Sequence, residues 1–434
     1  MCIRDRAISI QFIVGKQYAS PEIPLAFFFT LTLYFFLKGH LSGNSINYRF
    51  AAVALGLTVL TKGYPYIIVI VSVMMLFLLI ESGFQWRILL NKVKELKPIS
   101  FMAIVAVIGL SWIALMYFRY GDNFLAVLNE ETLERALAKE SNGLRDLFFY
   151  PEVLLWSFFP YSPLFIYAFF HSLFNMKQLK EIAFGLSWFM AMLIIFTIAK
   201  GKIPTYFIQA HPALALISAH FISRYKPVGN AEKIIWKLLF ILPAAAGIII
   251  STAIIVVFHL PLFWHLITAS ALLLMVMGSL PKKDGTDKDS IPYLAPFIGT
   301  FCALLIFSIG VLPALEERRP MDSIGKVINL EQHIPKTIPL YLEDGLLHNL
   351  PFYAERKVIP GTIPAAVLRQ RGAMLALIRS ENVPDSIASK VIWKGEIYRR
   401  RSSESRLLLF IQSYLKAKEG DMSGFTGYSL IYKK

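Results

Sequence analysis

Ten apolar stretches, most of them close to twenty residues long, constrain this chain more than any other feature. They lie near residues 23–38, 49–61, 64–81, 99–118, 151–174, 182–199, 204–222, 235–258, 261–280 and 291–313. About 20 helical residues cross the hydrocarbon core of a bilayer, and backbone groups in lipid need partners within their own structure. Barrel strands would alternate in polarity, and these runs do not. The pattern predicts an α-helical polytopic membrane protein with about ten spans, of which 49–61 is short for a crossing. Composition agrees, with 56% of residues hydrophobic and 17% charged, against about a quarter charged in ordinary soluble domains.

The formal net charge of +15 would suit nucleic acid, but its distribution points to a membrane instead. With the loop before residue 23 outside, loops 39–48, 82–98, 175–181, 223–234 and 281–290 face the cytoplasm. At or beside them lie Arg49, Arg87, Lys92, Lys94, Lys97, Lys177, Lys180, Arg224, Lys226, Lys233, Lys282, Lys283 and Lys288. That is the positive-inside arrangement. Basic residues on the outer side then stand out: Lys16, Lys62, Lys200, Lys202 and those of the long loop 119–150. Lys62, in "LTKGYPYIIV", is flanked by apolar runs, where an unpartnered ammonium is costly. Such lysines either snorkel to lipid headgroups or bind an anion at the outer interface.

Cys2 and Cys302 are far apart and Cys302 lies inside a span, which argues against a disulfide framework or zinc ribbon. The eight histidines have no ligand spacing, and no Gly-rich phosphate loop, HExxH or GxSxG occurs. After Leu315 the chain turns polar. "TIPLYL" (337–342), "AMLALIR" (373–379) and "RLLLFIQ" (406–412) read as strands, and 322–332 and 363–371 as amphipathic helices. Residues 316–434 thus form an α/β domain, which span counting puts outside the membrane. Its Arg399-Arg400-Arg401 run is either a solvated strand end or a contact for anionic lipid. At the other end, "MCIRDR" has no signal-peptide pattern. Residues 1–6 read as a non-native scar, leaving 7–315 as the membrane domain of a carboxy-terminal fragment.

Three stretches in order, "ASPEIPLAFFFTLTLYFF" (19–36), "LGLTVLTKGYPYIIVI" (55–70) and "AKGKIPTYFIQAHPALALISA" (199–219), resemble the GT-C-fold, polyprenyl-phosphate-sugar-dependent glycosyltransferases. The nearest branch is that of aminoarabinose transferase, which modifies lipid A, and of bacterial protein-mannosyltransferase-like proteins. "LPFYAERKVI" (350–359) is similar to a stretch of that family's soluble tail, so the resemblance runs through nearly the whole chain. It implies a bacterial inner-membrane enzyme that moves a sugar from a polyprenyl phosphate to a lipid or cell-envelope glycan acceptor. The implied partners are the lipid-linked sugar, that acceptor and the membrane, not nucleic acid. The resemblance fixes no cofactor and leaves a divalent metal open.

Site residues follow from the same resemblance. Glu22 matches a cavity acid, usually Asp in the family; helix-start chemistry accounts for it equally, since Ser20 can cap and Pro21 suits a first turn. Lys62 would meet the lipid phosphate or the acids of the site. Lys202 and Tyr206 match a substrate-contacting Lys and Tyr, with interfacial anchoring as the rival role. Glu131 and Arg135 match an acidic and a basic residue one turn apart on a helix in loop 119–150; Arg135 could hold phosphate and Glu131 a metal, although Thr132 stands where the branch has a histidine, and a plain Glu–Arg helix pair is the rival reading. His211 is either part of the site or a packed core histidine. The family's general base, an Asp in the first outer loop, has no counterpart here, and this fragment is expected to be inactive. Two other classes stay open: a transporter or flippase for a lipid-linked anion, and a noncatalytic envelope scaffold.

Overall fold

The computed structural model describes residues 21–130, 145–174, 181–199, 201–279, 293–318, 320–345, 347, 349–361, 372–385, 390–398 and 406–433. Most of these residues are helical, with one small sheet towards the carboxy terminus. The contacts divide the chain into two compact units, Met1–Ile250 with Ile267–Cys302, and Ser251–Leu266 with Ala303–Lys434.

The first unit begins with α1 (Glu22–Ser42) and α2 (Ser45–Lys62), an antiparallel pair turned by Gly43 at φ 66°. Asn44 caps α2 by accepting from the Ile46 N–H at 2.9 Å. On α1, Leu25, Phe29, Leu33 and Phe36 are fully buried, a three- and four-residue spacing that puts one stripe of the helix against its neighbours. Then follow α3 (Pro65–Glu81), α4 (Trp86–Glu95), α5 (Pro98–Gly109), α6 (Ser111–Tyr120) and α7 (Asp122–Asn129). The helices α8 (Arg145–Ser157), α9 (Ser162–Leu173), α10 (Ala183–Ile198) and α11 (His211–Arg224) come next, with a 3-10 turn, Pro204–Ala210, leading into α11.

Thereafter α12 (Asn230–Phe258), α13 (Phe263–Ser279) and α14 (Ala295–Leu305) continue the apolar pattern. On α12 the side chains of Leu242, Ile249 and Val256 are exposed while Trp236, Phe240 and Ala244 are buried. Large apolar residues on the outside of a long helix are what a lipid-facing surface requires. By length and composition, α1, α12 and Ala295–Leu315 can each cross a membrane, and α5 with α6, bent by 44°, can form one broken span. Pro65–Glu81, Ser162–Leu173, Ala183–Ile198 and Phe263–Met277 are apolar but shorter. The ten apolar stretches therefore coincide with helical segments, and among the described residues three to four of them are long enough to span.

In the second unit, a π turn (Ile306–Val311) carries the helix from α14 into α15 (Leu312–Glu316), followed by α16 (Met321–Lys326) and a further π turn through Glu331. The sheet comprises β1 (Leu340–Leu342), β2 (Val358–Ile359), β3 (Met374–Arg379), β4 (Val391–Tyr398) and β5 (Phe425–Lys433), in the order β2-β1-β3-β5-β4. β1 pairs parallel with β2 and β3, whereas β5 is antiparallel to β3 and β4. Two of the strands and the helix near 322–332 fall where the sequence placed them. The third strand does not: Arg406–Lys418 is a helix, α17. Phe410 and Tyr414, one turn apart, are both buried against Phe258, Val311 and Leu315, a four-residue spacing that a short apolar run conceals. Residues 363–371 and 399–401 lie outside the described residues.

One buried cation organises the loops of this unit. The Arg356 guanidinium donates to the carbonyls of Ile334, Pro335, Ile338 and Ala354 and to Asn329 Oδ1, at 2.9 to 3.3 Å. Burial among carbonyl dipoles, with no carboxylate within bonding distance in that set, lowers its pKa from the usual arginine value. Arg356→Met should strand several acceptors and cost about 2–4 kcal/mol, read as a lower denaturant midpoint for the sheet unit by circular dichroism. In the first unit, a Cβ added to Gly299 would lie 2.6 Å from the Ala244 carbonyl oxygen. Gly299→Val should accordingly cost about 1–3 kcal/mol, seen as a lower melting temperature of the detergent-solubilised protein.

Candidate functional site

Three elements distant in sequence meet at one end of the first unit. α1 starts there with Glu22, α2 ends there with Lys62, and the 3-10 turn brings Thr205 and Tyr206. Chain stiffness accounts for each placement. Pro21 precedes Glu22 in an αR conformation and fixes the helix start. Gly63, at φ 116°, stops α2 directly after Lys62, and Pro65 opens α3. Pro204 begins the 3-10 turn.

Lys62 Nζ donates to Glu22 Oε1 in an ion pair whose side chains are 19% and 13% exposed. The ammonium also lies 4.5 Å from the centre of the Tyr206 ring, a cation–π contact of about 0.5–2 kcal/mol depending on solvation. The Thr205 hydroxyl reaches the same carboxylate oxygen at 3.5 Å. The Tyr66 hydroxyl, on α3, shares this neighbourhood with Glu22, Tyr150 and Tyr206. An aromatic wall closes the inner side. Tyr206 packs against Phe196 at 5.7 Å, Phe196 against Tyr66 and Tyr150, and Tyr150 stacks on Phe207 at 5.4 Å. The Tyr150 hydroxyl donates to the Ile203 carbonyl at 3.4 Å, tying α8 to the stretch before the 3-10 turn.

The sequence singled out six site residues, and the structure joins three of them: Glu22, Lys62 and Tyr206. Lys202 is placed differently. Its ammonium donates to the carbonyls of Thr197 at 2.5 Å and Ala199 at 2.8 Å, so in this structure it caps the carboxy-terminal end of α10. Glu131 and Arg135 lie outside the described residues. His211 is fully buried with its ring edge against Phe158 at 5.6 Å, a packed histidine at the start of α11. Thr205, Tyr66 and Tyr150 were missed. Thr205 sits beside Tyr206 and could have been taken with it; Tyr66 and Tyr150 are brought in only by tertiary packing. Among the described residues no group of three or more His, Cys, Asp or Glu side chains could hold a metal ion, and Glu131 lies outside them.

Comparison with known proteins now bears on this arrangement. Residues 7–123 match the family model described as dolichyl-phosphate-mannose-protein mannosyltransferase. An uncharacterized protein of Aquifex aeolicus (strain VF5) is 30% identical over 423 residues, which are 95% of this chain and 74% of that protein. The undecaprenyl phosphate-alpha-4-amino-4-deoxy-L-arabinose arabinosyl transferase of Photorhabdus laumondii is 28% identical over 166 residues, 38% of this chain and 29% of that enzyme. The crystal structure of ArnT from Cupriavidus metallidurans bound to undecaprenyl phosphate matches with a TM-score of 0.65 at 18% identity, covering 88% of this chain and 74% of that one. The chain belongs to one family with the Aquifex aeolicus protein, and its fold is that of the ArnT crystal structures. At 18% identity the match to the ArnT crystal structure establishes the fold of this ArnT-like protein, and the alignment to the arabinosyl transferase covers under a third of that enzyme.

The Glu22–Lys62 pair is open to direct test. A largely buried pair loses more when one partner is removed than when both are neutralised, because the survivor is left unpaired. Lys62→Met should therefore lower the melting temperature more than Lys62→Met combined with Glu22→Gln. The double-mutant cycle should give a coupling of about 0.5–3 kcal/mol; simple additivity would show that the contact carries no weight.

Proposed function

We propose that this protein transfers a sugar from a polyprenyl-phosphate donor to a lipid or cell-envelope glycan acceptor at the outer face of the bacterial inner membrane, with its carboxy-terminal unit extracytoplasmic. The observation that carries this reading is the convergence of Glu22, Lys62 and Tyr206 from three separate elements. An ion pair alone is structural chemistry. Set at a helix end beside a tyrosine and a threonine, it is also an ammonium already placed to exchange one anion for another.

The reaction needs such an exchange. The acceptor hydroxyl attacks the anomeric carbon, the new C–O bond forms, and the bond from that carbon to the phosphate oxygen breaks. Polyprenyl phosphate leaves with the electron pair, and the acceptor proton passes to a base. Negative charge grows on the leaving phosphate, so a fixed cation there lowers the barrier. In our reading the donor phosphate displaces the Glu22 carboxylate from Lys62. The carboxylate thus released is free to accept a hydrogen bond from the acceptor or the sugar, with Thr205 holding its position. Arg135 is proposed as a second phosphate ligand. Fold similarity to an enzyme whose crystal structure holds undecaprenyl phosphate supports the donor class, and the named arabinosyl transferases support sugar transfer.

The test is transfer of labelled sugar from a polyprenyl-phosphate donor in membranes carrying the protein. Lys62→Ala should reduce transfer about 100-fold or more, and Lys62→Arg should recover part of it. Unchanged transfer in Lys62→Ala would overturn the assignment. Movement of the lipid-linked anion across liposomes without any transfer would favour a flippase.

A further inference from the structure

The opposite end of α2 carries a second polar feature that sugar transfer does not use. A shallow, open recess is lined by Ser45, Tyr48 and Arg49 of α2, Leu96 and Lys97 before α5, and Ser100, Phe101 and Ile104 of α5. Its floor is apolar, with Tyr48 and Phe101 buried, and its rim holds the two exposed cations Arg49 and Lys97 with two hydroxyls. α2 and α5 run side by side from this rim; Gly56 lies against Ile108 and Gly109 against Val59, so the recess sits where two tightly packed helices begin.

Depth is set by a neighbouring element. α4 exposes Trp86 and Leu90, with Phe84 just before it, while Leu89 is buried. A short helix with outward aromatic and aliphatic residues beside lysines belongs at a membrane–water interface. It is tied down by Glu81, which accepts from Lys92 at 2.8 Å and His40 at 2.7 Å. The 18 residues of α2 span about 27 Å, close to one hydrocarbon thickness of about 30 Å. The recess and the Glu22–Lys62 pair therefore lie at opposite ends of α2. In the segments 45–49 and 81–97, Arg49, Arg87, Lys92, Lys94 and Lys97 outnumber Glu81 and Glu95, five to two.

We propose that this recess binds the headgroup of an anionic phospholipid, its phosphate between Arg49 and Lys97 and its glycerol and first acyl carbons over Tyr48, Phe101 and Ile104. The pairing of cationic rim with apolar floor is the chemistry of an amphiphile; a free phosphate has no use for the floor. Surface lysines alone attract anionic lipid diffusely. A recess instead retains one molecule.

The experiment is native mass spectrometry of the protein taken from mixed micelles of phosphatidylglycerol and phosphatidylcholine. The wild type should retain one phosphatidylglycerol in preference to phosphatidylcholine. Arg49→Gln/Lys97→Gln should weaken that retention about tenfold or more, whereas Arg87→Gln/Lys94→Gln, which removes the same charge outside the recess, should leave it. Lys97→Gln alone serves if the double variant does not fold. Equal loss in both double variants would reduce the effect to diffuse surface charge and overturn the proposal, as would a wild type without preference. Displacement of the lipid by millimolar inorganic phosphate would make the site one for free phosphate and overturn the lipid assignment.

Discussion

A carboxylate and an ammonium 40 residues apart in the chain fix the geometry on which the rest of the first unit depends. Because Glu22 opens α1 and Lys62 closes α2, their contact holds the two helices in register at the end remote from the turn at Gly43. The 3-10 turn is then recruited to the same spot, through Thr205 to the carboxylate and Tyr206 to the ammonium. Neither charge would be tolerable there alone. A half-buried ion pair is a poor source of stability but a demanding one in position, since any separation leaves both groups undersolvated. That demand makes the pair a constraint on the fold as well as a candidate for chemistry.

Much of the architecture was legible in the apolar runs, because a bilayer permits few solutions for a backbone. What the runs did not convey was continuity. The stretch 151–174 is two helices, α8 and α9, and 204–222 opens as a 3-10 turn before α11 begins. Proline at 204 and 212 marks such breaks, but hydropathy averages over them. In the polar tail, short apolar runs revealed β1 and β3, which are largely buried, but β2, β4 and β5 were missed. The sequence "WKGEIY" within β4 is polar enough to pass for a loop, and it is held by pairing with β5. The strand expected at 406–412 failed for the converse reason, an apolar run too short to show its four-residue period.

The candidate site shows the same division. Glu22 and Lys62 were visible because a charge in an apolar context calls for an explanation from composition alone. Tyr206 was visible by resemblance. Lys202 met those criteria too, yet its ammonium lies on the carbonyls at the end of α10, an arrangement set by a chain reversal of a few residues. Tyr66 and Tyr150 carried no mark in the sequence, since a tyrosine in an aromatic-rich segment is unexceptional until packing turns its hydroxyl towards a partner.

The contact of α12 with α14 at Gly247 and Gly299 has a mechanical meaning. A Cβ at Gly247 would lie 2.3 Å from the Gly299 carbonyl carbon, so the two backbones touch with no layer of side chains between them. Helices separated by side chains can slide or roll by exchanging rotamers. Two backbones in direct contact have no rotamers to exchange, and displacement along the seam brings each glycine against a bulkier neighbour. This seam behaves as a weld, and motions within the first unit are left to the other helices.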